Sequence, residues 1–180
     1  RMPGDGGQEI ILTLGLDITD HKLAENALRD HKSQLNYITF HDSLTGLANR
    51  SLFYDRLNKS LLRAKRNRTS LALMLVDLDR FKNINDSLGR DVGDRFLKQA
   101  AIYLREAVRD TDTVARISGD EFVVVTNTTE EAESLGLAVM EALSQPVNYE
   151  TYRFPLDCSV GIACFPQDGR DAETLLNNAD

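Results

Sequence analysis

Residues 71–78 read Leu-Ala-Leu-Met-Leu-Val-Asp-Leu, a continuous apolar run as far as Val76, bounded by Ser70 and Asp79. A run this short that offers water no polar face forms a buried strand. Such a strand must be covered, and its neighbours in the sequence have the periodicity to cover it. Phe53, Leu57, Leu61 and Ala64 recur at helical spacing before it, and Val92, Phe96, Ala100 and Leu104 mark a second helix that ends near Arg109. Val114 to Ile117, the turn Ser118-Gly119 and Phe122 to Thr126 read as a hairpin. A third helix carries Ala132, Leu135, Val139 and Leu143 and stops before Pro146. A further strand runs from Leu156 to Phe165, and a last helix opens at Asp171 and is still running at Asp180. Interleaved helices and strands predict an α/β (α+β) domain with one mixed sheet covered by helices.

The first 40 residues have another texture. Ile10 to Leu16 is a strand whose partners are missing, and Ala24, Leu28, His31, Leu35 and Ile38 then recur at steps of four and three. That spacing is the seam of a two-stranded coiled coil, with Thr19 placed to cap the helix, although an amphipathic helix lying on its own domain fits it as well. The expected organisation is a C-terminal piece of another domain over 1–20, a helical linker over 21–40 that joins two chains into a homodimer, and the main domain over 41–180.

With 180 residues, 42% of them hydrophobic, the chain can bury one core and have a leader to spare. A net charge of −7 argues against a protein that wraps duplex nucleic acid, which must neutralise a row of phosphates. No stretch approaches the roughly 20 apolar residues of a membrane span. The opening residues lack a signal peptide's apolar run. The expectation is a cytoplasmic fragment without a membrane segment, although the full-length protein could be tethered elsewhere. Cys158 and Cys164, six residues apart on a strand, lie about 20 Å from each other when extended and cannot bridge. They read as small core residues in a reducing compartment.

Two places put acids where an apolar strand meets a turn: Asp77-Leu78-Asp79, and Asp120-Glu121 in the hairpin tip. Clustered carboxylates repel one another unless a cation joins them, and oxygen ligands beside a phosphate site favour Mg²⁺ or Mn²⁺. An EF-hand reading of Asp77-x-Asp79 fails, because Phe81 takes the third ligand position and no glycine or distal glutamate follows at the required offsets.

Arg116-Ile117-Ser118-Gly119-Asp120-Glu121-Phe122 resembles the signature hairpin of the GGDEF family, the diguanylate cyclases. His41-Asp42-Ser43-Leu44-Thr45-Gly46-Leu47-Ala48-Asn49-Arg50 resembles that family's opening block. Asp77 to Asp86, continued by Gly89, Gly93 and Asp94, resembles its metal and nucleotide block, and Ser159-Val160-Gly161-Ile162-Ala163 its later core strand. The leader resembles the end of a PAS domain joined to a signalling helix. The resemblance implies a nucleotide-cyclase or polymerase-palm-like fold with a mainly antiparallel central sheet and helices packed on one side. The implied activity is condensation of two GTP into the product cyclic di-GMP.

The resemblance also implies roles. Asp77 and Glu121 hold the metal ions, assisted by the carbonyl of Leu78, and Asp120 stands at the reacting 3′ hydroxyl. Gly119 admits the triphosphate, Lys82 and amides near Phe81 neutralise its end, and Asn85 and Asp94 read guanine. A carboxylate can accept from both N1–H and the exocyclic amine of guanine, a donor pair adenine lacks, so Asp94 suits GTP. Arg109 and Asp112, in Arg109-Asp110-Thr111-Asp112, match the family's inhibitory product site, with five residues between Asp112 and Ser118.

Two departures stand out. Ser118 occupies a position where the signature has glycine, and a serine forced into a left-handed backbone would strain the phosphate turn. The chain also ends at Asp180, ahead of the family's last helix and strand and of a Lys and Arg expected there for the phosphates. A rival reading is a regulatory GTP-binding module serving an attached EAL phosphodiesterase.

Overall fold

The computed structural model describes residues 37–149 and 152–180, together with Lys22. The chain divides into a unit of residues 1–36 and a unit of residues 37–180, and the second carries all the strands and long helices of the described residues. The predicted strand at 10–16 and the seam positions Ala24, Leu28, His31 and Leu35 lie outside the described residues. Ile38, the last seam position, is 64% exposed on the helical stretch 37–40.

Helix α1 (Arg50–Asn67) starts where the Asn49 side chain accepts a hydrogen bond from the Leu52 amide at 3.1 Å, and it ends at Arg68 in a left-handed conformation. It buries Phe53, Leu57, Leu61 and Ala64, the apolar positions that predict it. Strand β1 (Leu71–Leu78) follows, then α2 (Phe81–Leu88) and α3 (Arg90–Ala107). Strands β2 (Thr113–Ser118) and β3 (Glu121–Thr126) form the hairpin, and α4 (Ala132–Leu143) crosses back. A small separate hairpin, β4 (Val147–Tyr149) and β5 (Tyr152–Phe154), precedes β6 (Cys158–Phe165) and α5 (Ala172–Ala179).

The main sheet has the order β2-β3-β1-β6 with every neighbouring pair antiparallel, so β1 is central, as its composition demands. Alternation along β1 feeds two cores. Ala72, Met74, Val76 and Leu78 pack with Phe96, Leu104, Val139 and Leu143 of α3 and α4. Leu71, Leu73 and Leu75 pack with Phe53 and Leu57 of α1 and Leu175 of α5. Helices therefore cover both faces, which corrects the expectation of helices on one side. A central strand apolar on both faces would otherwise leave one of them in water, at about 1.5–3 kcal/mol for each large side chain exposed.

Helix α2 and the β4–β5 hairpin have no counterpart among the sequence-based expectations, and β6 begins two residues later than expected. The hairpin turn falls on Gly119-Asp120, with Ser118 the last residue of β2. Both cysteines are free and on β6, Cys158 buried and Cys164 half-buried. Burial, then the nearby Asp79 and Asp157 carboxylates, push the Cys158 thiol up to about 11.

Helix α5 packs closely on β6 at Gly161. A Cβ there would lie 1.7 Å from the carbonyl oxygen of Ala179. The close approach carries the end of α5 to the acidic end of the sheet.

Candidate active site

Antiparallel pairing sets Asp77 of β1 directly opposite Glu121 of β3. Strand alternation turns both side chains toward the face that α1 and α5 cover, away from Leu78, whose side chain belongs to the other core. Asp120 sits in the turn beside them, and its carbonyl oxygen accepts from the Leu78 amide at 3.4 Å. Burial is the largest influence on Asp77, and repulsion from Asp120, Glu121, Asp79 and Asp180 adds to it. Together they raise its carboxyl above the usual aspartate value. Asp180 is a member of this cluster that sequence reasoning gave no role. Asp79 is held separately, accepting from the Ser159 hydroxyl at 2.8 Å.

Among the described residues no three His, Cys, Asp or Glu side chains form a ready-made metal cage. Two facing carboxylates nevertheless fit Mg²⁺ or Mn²⁺, which are commonly held by one or two carboxylates plus substrate phosphate oxygens. A cation between Asp77 and Glu121 would also relieve the repulsion that raises Asp77. Asp77, Glu121 and the Leu78 carbonyl are the groups that would hold it.

Gly119 has a positive φ of 36°, and a Cβ there would meet nothing within 4 Å. Glycine thus serves the backbone conformation and leaves the approach from solvent clear. Ser118 does not share that conformation: the only non-glycine residues with positive φ among those described are Arg68 and Arg80. The expected strain at Ser118 is therefore corrected. As the end of a strand it needs no left-handed backbone, and its hydroxyl donates to Glu121 Oε2 at 2.5 Å.

Immediately after β1, Arg80 holds a φ of 58° and starts α2 without a side-chain cap; the Asn83 amide donates to the Arg80 carbonyl at 2.8 Å, which leaves the Phe81 and Lys82 amides for a ligand. Phe81 is buried and anchors this turn, while Lys82 beside it is exposed. Asn85 is half-buried one turn further on, and Asp94 is exposed near the start of α3. Gly93 explains how the two helices meet. A Cβ at this position would lie 1.9 Å from Asn85 Oδ1, so the amide occupies the space that the glycine vacates.

Asp42 and Arg116, both within motif blocks, received no role from the sequence. Arg116 Nη1 donates to Asp42 Oδ1 at 3.1 Å, while its Nε and Nη2 donate to the Gly119 carbonyl oxygen at 2.9 and 2.7 Å. The signature turn is thereby tied to the loop before α1. The signal that could have found it is an arginine in a strand three residues ahead of a glycine turn.

Arg109 and Asp112 lie in the connection between α3 and β2. The Arg109 amide donates to Asp112 Oδ2 at 3.1 Å, and the Asp112 amide to the Arg109 carbonyl at 3.0 Å. The Arg109 guanidinium is ion-paired with Glu131. Both residues line a cavity of about 210 Å³ with Arg56 and Arg105, separate from the carboxylates.

The family model described as "Diguanylate cyclase, GGDEF domain" matches residues 39–180. The chain is 39% identical over 156 residues, 86% of its length, to the cyclic di-GMP phosphodiesterase NbdA of Pseudomonas aeruginosa, and 36% identical over 157 residues, 85% of its length, to that organism's diguanylate cyclase TpbB. It spans 20% of the first relative's length and 36% of the second's. The crystal structure of a sensory box/GGDEF family protein from Caulobacter crescentus is similar with a TM-score of 0.74 and 38% identity, covering 78% of this chain and 93% of that one.

Proposed function

The chain belongs to the GGDEF family, and from that premise we propose that it is a diguanylate cyclase, condensing two GTP into cyclic di-GMP with release of pyrophosphate. The observation that carries the reading is Asp77 facing Glu121 across β1 and β3, beside Asp120 in a glycine turn. A divalent cation bound there supplies neutralising charge at the attacking and leaving oxygens of an in-line displacement. The protein's own groups do the rest. Asp120 stands at the 3′ hydroxyl and can take its proton as the oxygen bonds to the α-phosphorus of the second GTP and the bond to pyrophosphate breaks. Lys82 and the uncapped amides at the start of α2 hold the terminal phosphates. Asp94 accepts from the N1–H and exocyclic amine of guanine, the Asn85 amide donates to an acceptor on its edge, and Arg116 fixes the turn that carries Asp120.

Each domain holds one GTP, so two domains must face each other. A helix over 21–40 joining two chains, preceded by the end of a PAS domain over 1–20, supplies that arrangement, and the exposed Ile38 suits a seam. Replacing Leu28 and Leu35 by Glu should leave the domain folded but largely monomeric by light scattering, and inactive.

Turnover of GTP with Mg²⁺ tests the site. Asp77→Asn and Glu121→Gln should each abolish cyclic di-GMP formation, and full turnover by both withdraws their assignment. A second reading, a GTP-binding regulatory module attached to a phosphodiesterase, is favoured by the likeness to NbdA. It predicts GTP binding without turnover.

A further inference from the structure

At the end of the sheet opposite the carboxylates lies a cavity of about 720 Å³, more than twice the volume of either of the two that flank the signature hairpin. Ser70 leads into β1 there, and Phe165 closes β6 opposite Leu71. Asp77 is six residues further along β1, about 20 Å away at ~3.3 Å per residue. The cavity shares no lining residue with the carboxylate cluster or with the Arg109 cavity.

Its lining is net positive in a chain whose net charge is negative. Lys65 from the last turn of α1, Arg68 from the α1 cap and Arg170 from the loop before α5 face it with a single carboxylate, Glu130. Among the described residues none of the three cations is ion-paired. In a chain of net charge −7, three unpaired cations from the end of α1 and the loop before α5 are a local reversal of sign. Arg68 also holds a left-handed backbone, φ 55°, where a helix end usually places glycine or asparagine. Beside these cations, Ala64, Phe165 and Pro166 form an apolar wall, and Thr69, Asn127 and Thr128 add hydrogen-bonding groups.

We propose that this cavity binds a phosphorylated small molecule of nucleotide size, at a site separate from the one that takes GTP. Its volume falls within the range of small-molecule sites. The arginine forks and the lysine match phosphate oxygens, and the wall of Ala64, Phe165 and Pro166 offers apolar contact to a ring. A ligand held by Lys65 and Arg68 grips the C-terminal end of α1, the helix whose N-terminal residues Arg50 and Ser51 line the cavity beside Gly119.

Titration of the ¹⁵N-labelled 180-residue chain with ADP, in EDTA to withhold divalent cations, tests the proposal. The amides of Arg68, Thr69, Ser70, Asn127 and Arg170 should shift, and inorganic pyrophosphate alone should bind at least tenfold more weakly than ADP. Arg68→Asn combined with Arg170→Gln retains a residue suited to the left-handed cap and should weaken ADP at least tenfold. Shifts confined to residues 77–94 or 105–112, no shifts at millimolar ADP, or undiminished binding by the double variant would each overturn the site. Equal affinity for ADP and pyrophosphate would overturn the assignment of a nucleotide-sized ligand.

Discussion

Arg116 joins Asp42 to the Gly119 carbonyl, so one guanidinium holds the loop before α1 against the turn that presents Asp120. The two side chains are only 14% and 23% exposed, which separates this pair from the solvent-screened ion pairs that contribute little. Burial pulls the Asp42 carboxyl up, but hydrogen bonds from the Thr45 hydroxyl and amide and from Arg116 outweigh it, leaving it below the usual aspartate value. Asp42→Asn should cost about 1–3 kcal/mol at pH 7, as expected for hydrogen bonds to a charged group. Because the folded carboxyl is the more acidic, its contribution is complete above pH ~4 and is lost as pH falls through the folded value. Urea denaturation of wild type and variant should therefore converge in acid. A gap that is the same at pH 7 and pH 3 contradicts the ion-pair account.

Gly93→Ala should reduce GTP affinity about tenfold, roughly 1.4 kcal/mol, by displacing Asn85 from its place between α2 and α3. Helix propensity itself favours alanine by about 1 kcal/mol, so a loss of affinity with little loss of stability marks the effect as local. Asp94→Ala should weaken GTP more than ATP. Calorimetric titration checks both, and undiminished GTP affinity in Gly93→Ala removes Asn85 from the nucleotide site.

The Arg109–Glu131 ion pair competes with any anionic ligand of Arg109. Glu131→Gln should tighten cyclic di-GMP several-fold, and Arg109→Ala should abolish that binding. An Arg109→Ala variant with unchanged affinity places the product elsewhere.

Ser118→Ala removes the hydroxyl that donates to Glu121 Oε2 and leaves an ordinary strand backbone. Stability should change by no more than about 0.5 kcal/mol, as for most surface substitutions. The Mg²⁺ concentration for half-maximal turnover should move, because Glu121 loses its local partner. An unchanged Mg²⁺ dependence shows that the serine does nothing for the metal site.

The main sheet is legible in the sequence because Leu71–Leu78 is apolar on both faces and the helices around it keep a clean three-and-four spacing. Helix α2 is hidden because eight residues give only Phe81, Ile84 and Leu88 as a pattern, and its start at Arg80 breaks the usual capping rule with a left-handed non-glycine residue. The β4–β5 hairpin is hidden because strands of three residues carry no alternation to read. The acids of the site can be named from their turns, whereas the facing of Asp77 and Glu121 depends on register, and the Arg116 clamp on a contact across 74 residues of chain.

Supplying GTP and Mg²⁺ to a protein containing this chain, and resolving the nucleotides chromatographically, tests the cyclase assignment most directly. The wild type should yield cyclic di-GMP and pyrophosphate, and Glu121→Gln neither. GTP that binds and is recovered unchanged from the wild type, with Mg²⁺ or with Mn²⁺, would contradict the cyclase and leave the regulatory module in its place.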